Sequence, residues 1–127
     1  MKIKLLMVLC LFAWLPLIAP STSAHHSGTL YDREHPITLT GTVTGYKFFN
    51  PHVHIIFDVK DDKGTVTSWT AEGGPPRNAF RQGWTRDALK GGETVTITGF
   101  PYKDGQKIMD ILKAVGPGTL VLQYGTK

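Results

Sequence analysis

The 127-residue chain contains one cysteine, Cys10, and it lies within an apolar leader. Once that leader is removed no thiol remains, which excludes disulfides and cysteine-ligated metals. The chain also has no block of like charge. Without Lys2 and Lys4, twelve basic residues face ten acidic ones. That near balance offers no electrostatic footprint for a nucleic acid. No serine or cysteine sits in a recognisable nucleophile constellation. Gly73-Gly74-Pro75-Pro76 has glycines but neither the spacing nor the helix start of a phosphate-cradling loop. Internal repeats and low-complexity stretches are absent as well. The apolar run from Leu5 to Ala19 is interrupted by Pro16. It is shorter than the roughly 20 residues a membrane-spanning helix needs.

That run has the layout of a secretory signal peptide: a basic start at Lys2 and Lys4, an apolar centre, and small residues Thr22-Ser23-Ala24 at the cutting positions. A cut after Ala19 is disfavoured by Pro20, so residues 1–24 are expected to be removed after Ala24. An uncleaved membrane anchor is the alternative. Cys10 is a poor lipid attachment site because Leu9 stands where a small residue is expected. The mature chain then begins at His25, in a periplasmic or secreted compartment and off the membrane. Removing 24 of 127 residues leaves 103, enough for one domain with one modest core. Its core is expected over residues 37–115, roughly.

The mature chain reads as strands separated by glycine and proline. Residues 37–44 alternate apolar and polar with period two, the pattern of a half-buried strand. Asn50-Pro51 turns the chain, and residues 52–59 form a second strand. Asp61-Asp62-Lys63-Gly64 makes a hairpin into a third strand over 65–72. Arg77 to Lys90 is the only segment that can be helical, as one or two short turns around Gly83, with Thr85 as a cap and Gly91 at a left-handed exit. Residues 94–99 and 107–115 are the fourth and fifth strands, and 120–122 can add a short one. The order, three strands, a short helix and two strands, predicts an all-β fold: a small, partly open, five-stranded OB-like barrel. An immunoglobulin-like sandwich is the runner-up, but about seven strands would be expected there.

The residues Ala24-His25-His26-Ser27, Tyr31-Asp32, Leu39-Thr40-Gly41-Thr42-Val43, Asn50-Pro51-His52, Trp69, and the run Arg81 to Lys90 together resemble domain-of-unknown-function family 6152, a family of secreted bacterial proteins. The resemblance extends from His25 to about Val115. It implies an exported, small β-rich fold and brings no established activity. The family pattern often has an aromatic residue where this chain has His54, so chemistry that needs His54 would be particular to this sequence.

All five histidines, His25, His26, His35, His52 and His54, precede residue 55. On the second strand Val53, Ile55, Phe57 and Val59 share one face. His52, His54, Ile56 and Asp58 share the other, which sets two imidazoles side by side at a spacing that can chelate an ion. A solvated strand face is the plainer account. At the mature terminus, the His25 amine and imidazole can bind one metal as a bidentate pair. A strand histidine would complete a nitrogen set resembling the histidine brace of copper oxygenases. His26 offers a competing arrangement through the amine, an amide and its own ring. Nitrogen-only ligands in tetragonal geometry favour Cu(II), with Zn(II) or Ni(II) behind. A polar leader that merely suits the peptidase accounts for the same residues.

Trp69, Trp84, Phe48, Phe49 and Tyr46 can stack on a sugar or base, but core packing explains the tryptophans more simply. Arg77, Arg81 and Arg86 are read as solvated. Glu72 and Asp58 show no partner for acid–base work. The leading expectation is a non-enzymatic extracytoplasmic module holding copper or a similar ion with His25, His26, His52 and His54. The rival is an OB module that recognises a peptide, glycan or protein partner through Trp69 and its loops, with no metal role. An oxygenase ranks last, because so small a chain leaves little room for a substrate platform. Nucleic acid is not an expected partner.

Overall fold

The computed structural model describes residues 30–125. The expected signal segment, His25 and His26 lie outside the described residues. Among the described residues six strands and one short helix follow in chain order: β1 (Ile37–Phe48), β2 (Val53–Lys60), β3 (Val66–Glu72), α1 (Pro76–Phe80), β4 (Thr94–Pro101), β5 (Ile108–Val115) and β6 (Val121–Gln123). The sheet order is β3-β2-β1-β4-β5-β6, and a further β3–β5 pairing closes the first five strands into a barrel. That closing seam is parallel and short, Thr70–Glu72 against Ile108–Asp110. The fold is the OB-like barrel the strand order predicts, with β6 added at the edge of β5.

Period two explains why these strands wrap a core. Val53, Ile55 and Phe57 alternate inward along β2 and are fully buried. Val43, Val95 and Ile97 join them in one cluster with Trp84, Met109 and Leu122. His54, Ile56 and Asp58 face out, as expected. Trp69 packs against the core from inside β3, opposite Phe57.

β1 runs past its expected end. A register shift between Val43 and Gly45 leaves Thr44 unpaired, and Tyr46 and Phe48 resume the ladder with β2. Such a bulge curls the strand, which a small barrel requires. Glycine serves the same curvature where strands press together. A Cβ on Gly99 would run into the Asp110 carbonyl and come within 3.0 Å of Met109 Cε. Gly99→Ala should therefore lower the unfolding free energy by about 1–3 kcal/mol. Gly91→Ala, whose nearest neighbour would be 3.9 Å away, should change it by less than about 0.5 kcal/mol. Urea titration of both variants checks the contrast.

The expected short helical segment is present, and the second turn, after Thr85, needs correction. Of that stretch Pro76–Phe80 is helical, and Thr85–Lys90 is a set of turns in which the Thr85 hydroxyl accepts from the Asp87 N–H. The left-handed position falls on Gly92, at φ 89°, rather than on Gly91. The stub still has a structural task, because the Trp84 N–H donates to the Ala79 carbonyl and both residues are wholly buried. Among the described residues no helix is long and apolar enough to cross a membrane.

Candidate functional site

One transverse row of register partners runs across the outside of the barrel. Lys47 on β1 pairs with His54 on β2, and His54 with Glu72 on β3. Glu72 then pairs with Asp110 on β5, and Asp110 with Phe100 on β4. Because side chains alternate along a strand, partners in a row project to the same side. Closure of the barrel thus gathers two carboxylates and a histidine from distant parts of the chain.

Glu72 is the hub. His52 Nδ1 lies 2.8 Å from its Oε1, and His54 Nε2 lies 3.8 Å from the same oxygen. The Tyr31 hydroxyl donates to Oε2 at 2.9 Å. Burial and the Glu72 carboxylate push the Tyr31 phenol well above the usual tyrosine range, so it serves as a donor and stays protonated. The sequence expectation for the strand pair therefore gains a third member. His52 precedes β2 instead of starting it, yet both imidazoles meet one carboxylate. The Nδ1 of His54 is buried without a partner. Such an atom costs about 1–3 kcal/mol unless something satisfies it.

The reading of Glu72 as partnerless is overturned: three side chains address it. Tyr31, Arg33 and Asp110 also escaped sequence reasoning. Arg33 reaches Asp110 at 2.8 Å and lies over the rings of Phe100, 4.9 Å from its centroid, and Tyr31, 5.4 Å. Burial raises the Asp110 carboxyl above its ordinary range, against the pull of Arg33.

Beside this row opens a cleft of about 530 Å³, lined among others by His52, Glu72, Asp110, Asn78 and Tyr124. The Tyr124 ring lies against Gly73 and Gly74, where a Cβ on Gly73 would come within 2.8 Å of its hydroxyl. That hydroxyl is buried without a partner.

Other sequence candidates fall elsewhere. His35 leaves the cluster and binds Asp32, Nδ1 to Oδ2, at 2.9 Å; this contact lowers the Asp32 carboxyl. Trp84 is core, while Trp69, Tyr46 and Phe48 are half-buried against it. Phe49 alone of those aromatics is exposed. Arg77, Arg81 and Arg86 are exposed. Among the described residues no group of three or more His, Cys, Asp or Glu side chains is gathered closely enough to hold an ion. His52 and His54 thus supply at most part of a metal site.

The chain belongs to DUF6152, a family of unknown function, whose model matches residues 15–109. No curated protein matches the chain. Among solved structures, it is similar to the mitochondrial single-stranded DNA binding protein Rim1 of S. cerevisiae, with a TM-score of 0.50 and 4% identity, over 67% of this chain and 95% of that one. A ZRD-deleted mutant of TiaS in complex with agmatine aligns with a TM-score of 0.43 and 20% identity, over 73% of this chain and 23% of that one. At 4% identity the Rim1 likeness is one of fold.

Proposed function

We propose that this member of the family is an exported, non-enzymatic binding protein that holds Cu(II), or a similar divalent ion, at the Glu72 end of its barrel. The ligands are His52 and His54 together with His25 and His26 of a processed terminus. The observation that carries the reading is the meeting of both strand-region imidazoles on one carboxylate. A metal-binding histidine typically offers one nitrogen to the ion and the other to a carboxylate, which fixes its tautomer. With Glu72 on His52 Nδ1, His52 Nε2 remains available. On His54 the partnerless Nδ1 is buried, so the ring has to turn before a nitrogen reaches the ion. Two nitrogens from these rings are half of a tetragonal set. The remainder has to come from elsewhere in the chain, and a free His25 amine and its imidazole are of the right chemistry.

Leu30 is tied to the barrel, its carbonyl accepting from the Lys103 N–H at 2.9 Å. His25 is five residues upstream, a span of at most roughly 18 Å.

Rim1 binds single-stranded DNA by its name, and a nucleic-acid reading has to be weighed for this barrel. Non-specific single-strand binding uses a basic groove with aromatic stacking platforms. The outward residues of β2 and β3 here are His54, Ile56, Asp58, Ser68, Thr70 and Glu72, with no aromatic and no lysine or arginine among them apart from the terminal Lys60. Nucleic acid therefore stays outside the proposal. A peptide, glycan or protein partner in the cleft is the second reading, favoured by the partnerless Tyr124 hydroxyl.

Copper titration tests the proposal. Protein recovered from the native compartment should have a mass that starts at His25, and it should bind one Cu(II). Binding should weaken as pH falls, because protons compete for the amine and imidazoles. One residue added before His25 should weaken binding by at least about tenfold, since it converts the amine to an amide. Equal affinity with and without that residue would remove the terminus from the site.

A further inference from the structure

We infer that the cleft beside the β3–β5 seam is a saccharide site, in which Arg33, Asp110 and Asn78 hold a neutral, hydroxyl-rich ring. This rests on the second reading above, a partner held in the cleft, narrows it to one chemical class, and involves neither copper nor the amino terminus. The cleft measures about 530 Å³, within the range of small-ligand sites. Its walls come from distant parts of the chain: Arg33 precedes β1, Asn78 lies on α1, Asp110 on β5, and Tyr124 follows β6. β6 is the strand added to the five-stranded barrel, and it delivers that tyrosine, whose backbone N–H donates to the Leu112 carbonyl at 2.9 Å. The Tyr124 ring lies on Gly73 and Gly74, where a Cβ would come within 2.8 Å of its hydroxyl or 2.9 Å of its Cε1. With Leu112 it gives the cleft an apolar side.

Charge decides the class of ligand. The ionic groups of the cleft are already paired with one another, Arg33 with Asp110 at 2.8 Å and His52 with Glu72 at 2.8 Å. The Tyr31 hydroxyl takes the other oxygen of Glu72. A strongly charged ligand would have to break a pair or enter uncompensated, and both are costly. Neutral hydrogen-bonding capacity is what remains. One oxygen of Asp110 meets Arg33, yet a carboxylate accepts several hydrogen bonds and a guanidinium donates several. Side by side, the two offer donor and acceptor on one wall, with the Arg33 and Asp110 side chains 46% and 28% exposed. The exposed Asn78 offers both kinds from α1 through one planar amide. Vicinal hydroxyls of a sugar ring match such planar groups, because each hydroxyl both donates and accepts. The C–H face of that ring suits Leu112 and the Tyr124 ring. A peptide unit instead points its N–H and C=O in opposite directions, so it matches either group of the Arg33–Asp110 wall but not both.

The test is calorimetric titration of the purified protein, free of metal, with neutral hexoses, N-acetylhexosamines and their disaccharides, and separately with short uncharged peptides. At least one saccharide should bind with millimolar affinity or tighter. Asn78→Ala and Asp110→Asn should each weaken that binding about tenfold, and together about a hundredfold, because they grip the ring from separate elements. Asn78 is exposed, so its alanine variant should melt with the parent and report binding alone. Saccharide affinity unchanged in both single variants would overturn the site. Peptides that bind where no saccharide does, with affinity lost in the same variants, would overturn the saccharide class and leave the cleft reading standing. No binding of either kind would overturn both.

Discussion

Trp84→Ala should lower the unfolding free energy by about 3–5 kcal/mol, the usual cost of emptying a large aromatic site in a core. The ring is fully buried and belongs to the central cluster. It packs between the α1 stub, where the Trp84 backbone N–H donates to the Ala79 carbonyl, and Tyr46, whose ring is 6.1 Å away. Domains of this size have about 5–15 kcal/mol in total, so the alanine variant should approach the limit of folding. Trp84→Phe separates two effects of opposite sign. Phenylalanine leaves a smaller void than alanine, and it also removes the indole N–H, which is buried without a partner. Relief of an unsatisfied donor is worth about 1–3 kcal/mol, so the net loss should stay below about 1.5 kcal/mol. Urea unfolding followed by far-ultraviolet circular dichroism measures both variants without depending on the tryptophan signal. An alanine variant within about 1 kcal/mol of the parent would mean that this end of the barrel is loosely packed.

Trp84 also marks where sequence reasoning succeeds. Its burial follows from an aromatic placed between a helix stub and a glycine turn. The β2 pattern similarly fixes Val53, Ile55 and Phe57 inside and His54 outside, because strand periodicity is local and needs no knowledge of the neighbours. The candidate site is different in kind. Glu72 meets Asp110 only through the parallel β3–β5 seam, and it meets Tyr31 only because the segment before β1 folds back across β4. Neither contact leaves a period or a spacing in the chain, so Glu72 looks solitary when read along it. Tyr31-Asp32 carries a faint sign, as part of the family resemblance. Arg33 has none, since an arginine before a strand has the same pattern whether it is solvated or pinned. The second helical turn expected after Thr85 is absent from residues 85–90 for a related reason. Thr85 and the glycines suit a capped helical turn, yet one turn cannot meet its nucleation cost without packing, and the burial of Trp84 and Leu89 takes the chain along another path.

His52→Ala, His54→Ala and Glu72→Gln should weaken Cu(II) binding in a definite order. Each histidine removes a nitrogen from the ion, and the loss should exceed that from Glu72→Gln. The glutamine keeps the shape of Glu72 and gives up its charge, so the acceptor that holds His52 at Nδ1 is weakened and its tautomer is freed. Loss of such an orienting carboxylate costs about 10–100-fold in metal affinity. Stability should move far less than affinity. His52 and Glu72 are partly exposed at 44% and 26%, and His54 already carries a buried nitrogen without a partner, so its removal leaves no new unsatisfied group. Electron paramagnetic resonance of the Cu(II) forms separates the roles. The two histidine variants should lose nitrogen hyperfine structure, while Glu72→Gln should keep the nitrogen count and change the affinity. Identical spectra and affinities in all three would mean that any bound ion is held away from this end of the barrel. The cleft with its partnerless Tyr124 hydroxyl would then be the better place to look for a ligand, and the partner-binding OB module the better account of the protein.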